Sequence, residues 1–82
     1  MKLIDRISKL RAPSNNTDVL IEVALFELDN DYLSARPNAA GTKVVYMRRS
    51  GKTDTFWAAD HTLTSESRAE SIARLRAKGV IG

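Results

Sequence analysis

Lys43-Val44-Val45-Tyr46-Met47-Arg48-Arg49, then Ser50-Gly51, then Lys52-Thr53-Asp54-Thr55-Phe56-Trp57-Ala58: this stretch decides the fold. β-Branched and aromatic residues suit a pleated, half-buried surface, and glycine supplies the positive φ that a tight turn requires. The spacing predicts a β-hairpin. With a two-residue loop, Tyr46 faces Thr55 and Val44 faces Trp57 on one side, while Val45 with Phe56 and Met47 with Asp54 occupy the other. A three-residue loop shifts that register, and a slip of one residue exchanges the two faces.

Toward the C-terminus, residues 59–64 read as a polar loop and the following segment as a helix. Ser67 and Glu70 have capping-box spacing, with Ser65 a competing cap. Ala69, Ile72, Ala73 and Leu75 form its apolar stripe, and Arg76 within that stripe covers the core edge with its stem. Glu66 and Glu70 near the start and Arg74, Arg76 and Lys78 near the end suit the helix dipole. Gly79 stands where a left-handed residue is wanted, and Val80 can fold back onto the last turn.

Toward the N-terminus, Pro37-Asn38-Ala39-Ala40-Gly41 is a loop, and Tyr32 to Arg36 are a candidate short strand after a turn at Asn30-Asp31. Residues 18–28 are apolar almost all round and fit a buried helix or a buried strand. Their length, the leading acid, and Glu22, Ala24, Leu25 and Glu27 favour helix. Residues 13–17 form a polar linker whose last members suit an N-cap. Residues 1–12 place Leu3, Ile4, Ile7 and Leu10 on one face of an amphipathic helix. The expected class is α+β: a small antiparallel sheet, a hairpin with a candidate third strand, packed against helices in the order α-α-(β)-β-β-α. Residues 1–82 form one domain, 18–82 being its α+β core.

Bulk properties agree. With 82 residues the chain has room for one domain and a thin core, and 43% hydrophobic with 28% charged residues is ordinary for a folded protein. There are no cysteines, so disulfides and thiolate metal sites are excluded. Charges at Lys2, Asp5 and Arg6 interrupt any signal-peptide core, and no apolar run is long enough to span a membrane. The expected location is cytoplasmic. The N-terminal helix has too few apolar anchors to bind a membrane surface well. Net charge is +3 but unevenly placed: residues 13–35 carry acids and no base, residues 36–53 bases and no acid.

Motifs for chemistry fail on context. Gly51-Lys52-Thr53 has Tyr46 where a phosphate-binding loop needs its first glycine, and a strand where it needs a helix. Asp29-Asn30-Asp31 would begin a calcium loop, but Leu33 and Ala40 stand at the fifth and twelfth positions. His61, beside Asp60 and near Thr62, Thr64 and Ser65, could be drawn into a hydrolytic triad, but adjacency in sequence does not create its geometry. No cofactor or metal is expected. The hairpin offers more: Lys43, Tyr46, Arg48, Arg49, Lys52 and Trp57 combine the residue types that carry protein interfaces with those that neutralise phosphates and stack on bases.

The run Arg36-Pro37-Asn38-Ala39-Ala40-Gly41-Thr42-Lys43-Val44, continued by Gly51-Lys52-Thr53-Asp54-Thr55-Phe56-Trp57-Ala58, resembles short phage- and prophage-borne bacterial accessory proteins, by pattern rather than by a specific motif. That resemblance covers the middle third to half of the chain. It implies a mobile-element protein, some of which block host defence complexes of the CRISPR type, and it carries over no active-site residue. The expected function is a non-enzymatic protein-binding module, a phage-type inhibitor that occludes its target through the six hairpin residues. The alternative is a nucleic-acid-binding accessory protein using the same ribbon, and a hydrolase built on Asp60 and His61 comes third. Self-association into a homodimer through the hairpin is compatible with so small a core.

Overall fold

A computed structural model describes residues 2–80; Met1 and residues 81–82, which the single-domain span includes, lie outside it. Six elements follow one another: α1 (Leu3–Ser8), α2 (Asn15–Leu25), β1 (Tyr32–Pro37), β2 (Val44–Arg48), β3 (Thr53–Phe56) and α3 (Ser65–Ala77). The strands form an antiparallel sheet in the order β1-β2-β3, so the fold is α+β and the candidate third strand is real. A bulge between Tyr32 and Ser34 interrupts the β1–β2 register at Leu33.

The core joins helix to helix. Ile4 and Ile7 of α1, Ile21 of α2 and Leu75 of α3 form the buried cluster, with Leu3, Ala24, Leu25, Ile72 and Val80 packed against it. Only α2, among the helices described, also packs on the sheet, against β1 and β2. An element packed against two helices and two strands has little polar face to spare, which explains why residues 18–25 are apolar almost all round. The molecule is accordingly longer than wide, 39 × 25 × 21 Å.

Several boundaries differ from expectation. The first helix is shorter than residues 1–12, ending at Ser8, whose hydroxyl donates to the Asp5 carbonyl. The second begins inside the expected linker, because Ser14 is its N-cap and accepts from the Thr17 N–H. It ends at Leu25 rather than residue 28: Phe26 leaves helical geometry and lies 6.1 Å from the Tyr46 ring. Thr64, not Ser65 or Ser67, caps α3, with Ser67 closing a capping box in the place expected of Glu70. The buried side of α3 holds Ser71 and Leu75, with Ile72 half-buried; Ala69, Ala73 and Arg76 are exposed. Ser71 faces inward because its hydroxyl donates to the His61 and Ser67 carbonyls. The C-terminal stop is as expected: Gly79 has φ +93° and donates to the Arg76 carbonyl, and Val80 donates to that of Leu75.

Candidate binding surface

The hairpin turn sets the geometry of this surface. Arg48 N–H donates to the Lys52 carbonyl at 2.7 Å and Gly51 N–H to the Arg48 carbonyl at 2.9 Å, enclosing the three-residue turn Arg49-Ser50-Gly51. Gly51, with φ +91°, takes the left-handed position that such a turn requires. The register is therefore Val44–Phe56, Val45–Thr55, Tyr46–Asp54 and Met47–Thr53, one residue away from that of a two-residue loop. The expected facing pairs are corrected, and Tyr46 and Trp57, expected on one side, lie on opposite sides.

One face of the sheet turns toward α2. Tyr46 is half-buried there, its ring 5.2 Å from Tyr32 and 6.0 Å from Phe56. Its hydroxyl donates to Glu22 Oε2 at 3.3 Å, and burial, then the Glu22 charge, raises its pKa above 10.0. Arg48 shares that face. Its Nε donates to Asp54 Oδ2 at 2.6 Å, and Tyr32 donates to the same oxygen at 3.0 Å. The Arg48 hydrogen bond holds Asp54 below the usual carboxylate value, and the Asp54 bond pushes Tyr32 up. Arg49, in the turn, donates to the backbone carbonyls of Asn30 and Asp29 at 3.1 and 2.7 Å. The two arginines are thus engaged within the molecule, Arg48 by a carboxylate of its own hairpin and Arg49 by main chain of residues 29–30. Lys52 is exposed on the α2 side of the ladder, with no ion pair among the described residues.

The opposite face carries no helix. It presents Ser34, Arg36, Met47, Thr53 and Thr55 around Val45, which is itself only 8% exposed, and continuing the register beyond the ladder adds Lys43 opposite Trp57. The Lys43 ammonium lies 4.7 Å from the indole centroid, while Trp57 is 67% exposed. Such a cation–π contact at an exposed site contributes about 0.5–1 kcal/mol. No acid stands on this face. Of the six residues expected to form one surface, the fold brings Lys43 and Trp57 together there and sends Tyr46, Arg48 and Lys52 to the other side. Arg36 and Met47 join the pair. Arg36 reaches this face through the pairing of β1 on β2, and Met47 through the three-residue register of the hairpin; sequence periodicity alone supplies neither.

A second cluster ties the β3–α3 connection to α2. His61 Nε2 lies 2.7 Å from Glu22 Oε1, so the histidine partners Glu22 rather than the adjacent Asp60. The Ala59 N–H also reaches that oxygen, at 3.4 Å. One turn earlier, buried Asp18 accepts the Thr62 N–H at 2.9 Å, and buried Thr62 exchanges hydrogen bonds with Ser14. Arg68 caps the Thr62 carbonyl at 2.8 Å. These polar groups serve as anchors. A signal for them existed: two acids in an otherwise apolar helix must find partners once the helix is buried.

Two open grooves lie elsewhere, one of about 540 Å³ between the C-terminal ends of α2 and α3, lined by Leu25, Glu27, Arg74, Ala77 and Lys78, and one of about 250 Å³ between α1 and α3. No helix among the described residues is long and apolar enough to cross a membrane. Comparison with protein-family models, with curated proteins and with solved structures returned no match to this chain.

Proposed function

We propose that this chain is a non-enzymatic binding module that docks a protein partner on the helix-free face of its sheet. The observation that carries the reading is Trp57: a large indole, 67% exposed, at the margin of a face bearing Arg36, Lys43 and Met47 and no acid. Trp and Arg are the side chains that most often dominate interface energies, and Met adapts its shape to a partner. The complementary surface is an apolar pocket with an acidic rim, since like charges across an interface are costly. The resemblance of residues 36–44 and 51–58 to phage-borne accessory proteins supports an inhibitor that occludes a host complex by bulk.

The experiment is a pull-down with wild type, Trp57→Ala and Lys43→Glu as baits. The expected result is a protein held by wild type and lost from both variants; retention that ignores both substitutions overturns the reading. A nucleic-acid partner is the second reading, favoured by Lys43 and Arg36 beside a stackable ring. Trp57 is the sole tryptophan, so its fluorescence reports binding without a label. Quenching by single-stranded oligonucleotide that fades steeply with salt would select this second reading.

A further inference from the structure

The two edges of the sheet are not alike. On β1, Asn38 N–H donates to the Lys43 carbonyl, so hydrogen bonding alternates to leave Ala35 and Pro37 facing outward. Pro37 has no N–H to offer, and the bulge at Leu33 bends the strand away from any neighbour. On β3 the Arg48–Lys52 bond fixes the same alternation: Tyr46 with Asp54 and Val44 with Phe56 exchange hydrogen bonds, and Thr53 and Thr55 do not. The peptide groups of Thr53 and Thr55 therefore point away from β2. Both residues are exposed, and no helix among those described packs on β3. This edge has neither proline nor bulge, the usual protections, and it ends in Phe56 and Trp57, 52% and 67% exposed.

Charge selects one occupant and one register. Outward-facing residues must meet outward-facing residues, which leaves four symmetric antiparallel ways to set β3 against its own copy, with the axis at Thr53, Asp54, Thr55 or Phe56. A two-fold axis at Phe56 puts Asp54 opposite Ala58, an axis at Thr55 puts Asp54 opposite Phe56, and an axis at Asp54 puts Asp54 opposite itself. An axis at Thr53 puts Lys52 opposite Asp54 twice over. Lys52 has no ion pair among the described residues, and Asp54 binds Arg48 and Tyr32 through Oδ2, leaving Oδ1 to face a second copy.

We propose that a second copy of this chain pairs antiparallel along β3 about a two-fold axis at Thr53, joining two three-stranded sheets into one of six. This inference does not rest on the proposed function, because Lys43 and Arg36 look out from the sheet face rather than along its edge. Pairing would set the two helix-free faces side by side.

Sedimentation equilibrium and amide exchange by NMR test it. The expected mass is twice the 9.1 kDa of one chain. The Thr53 amide, which meets its own copy at the axis, should exchange about tenfold more slowly as concentration rises. Thr53→Pro removes that outward N–H without touching the bonds to β2, and Lys52→Glu sets acid against acid. Each should return the mass to 9.1 kDa with an unchanged circular dichroism spectrum. If Thr53→Pro fails to fold, Lys52→Glu decides. A mass of 9.1 kDa up to about 1 mM, or a dimer indifferent to Lys52→Glu, overturns the proposal.

Discussion

Trp57 and Val44 show what burial alone decides at the level of single side chains. Val44 is 1% exposed on the α2 side of the sheet, and Trp57 is two-thirds exposed on the other. Trp57→Ala should cost no more than about 1 kcal/mol, the worth of its contact with Lys43, in urea unfolding followed by circular dichroism, whereas Val44→Ala should cost about 1–3 kcal/mol. Ionisable side chains add a pH dependence. Asp54 is held down by the Arg48 hydrogen bond, and Asp29 by the N–H groups of Tyr32 and Asp31, both below the usual 3.8. A depressed carboxyl stabilises the fold above its unfolded pKa, and that stability is lost as pH falls through the folded value. Tyr46, raised by burial, and Tyr32, raised by its Asp54 bond, act in the opposite sense from 10.0 upward. The thermal midpoint should therefore drop below about pH 4 and again above about pH 10, Asp54→Asn flattening the acid limb and Tyr46→Phe the alkaline one.

Among the elements, capping chemistry carries testable weight. Thr64 accepts the Ser67 N–H at 3.0 Å while Ser67 accepts the Thr64 N–H at 2.9 Å, so Thr64→Ala should cost about 1 kcal/mol in thermal unfolding. Here the limits of sequence reading are plain. The hairpin, the last helix and its Gly79 stop were legible, because turn glycines and 3.6-residue periodicity are local signals. The N-caps Ser14 and Thr64 were not, since each lies among several serines, threonines and asparagines that cap equally well until tertiary contacts choose. Thr62 makes the choice for Ser14 by bonding to its backbone. The hairpin register failed for a related reason: Ser50-Gly51 serves a two- or a three-residue turn, and the difference moved Trp57 to the face opposite Tyr46. Of the candidate surface, the sequence reading names Lys43 and Trp57, while Arg36 joins them through β1 and Met47 through the three-residue register.

For the whole molecule, the apolar cluster and the candidate surface sit in different parts of the chain. Leu75→Ala, at a site 0% exposed among Ile4, Ile7 and Ile21, should cost about 2–5 kcal/mol and destabilise the helices directly. The sheet meets that cluster through α2 alone, and the polar clasp of Glu22 with His61 and Tyr46 spans the join. Substitutions at exposed positions of the helix-free face, Trp57 among them, should consequently leave the core intact at small cost in folding free energy.

That single junction has a kinetic side as well. A sheet fastened to its support along one helix forms a cooperative unit of its own, able to open while the rest of the chain stays folded. Amides of β2 should then swap hydrogen for deuterium through an excursion cheaper than global unfolding, while those around Ile21 and Leu75 wait for the entire molecule to come apart.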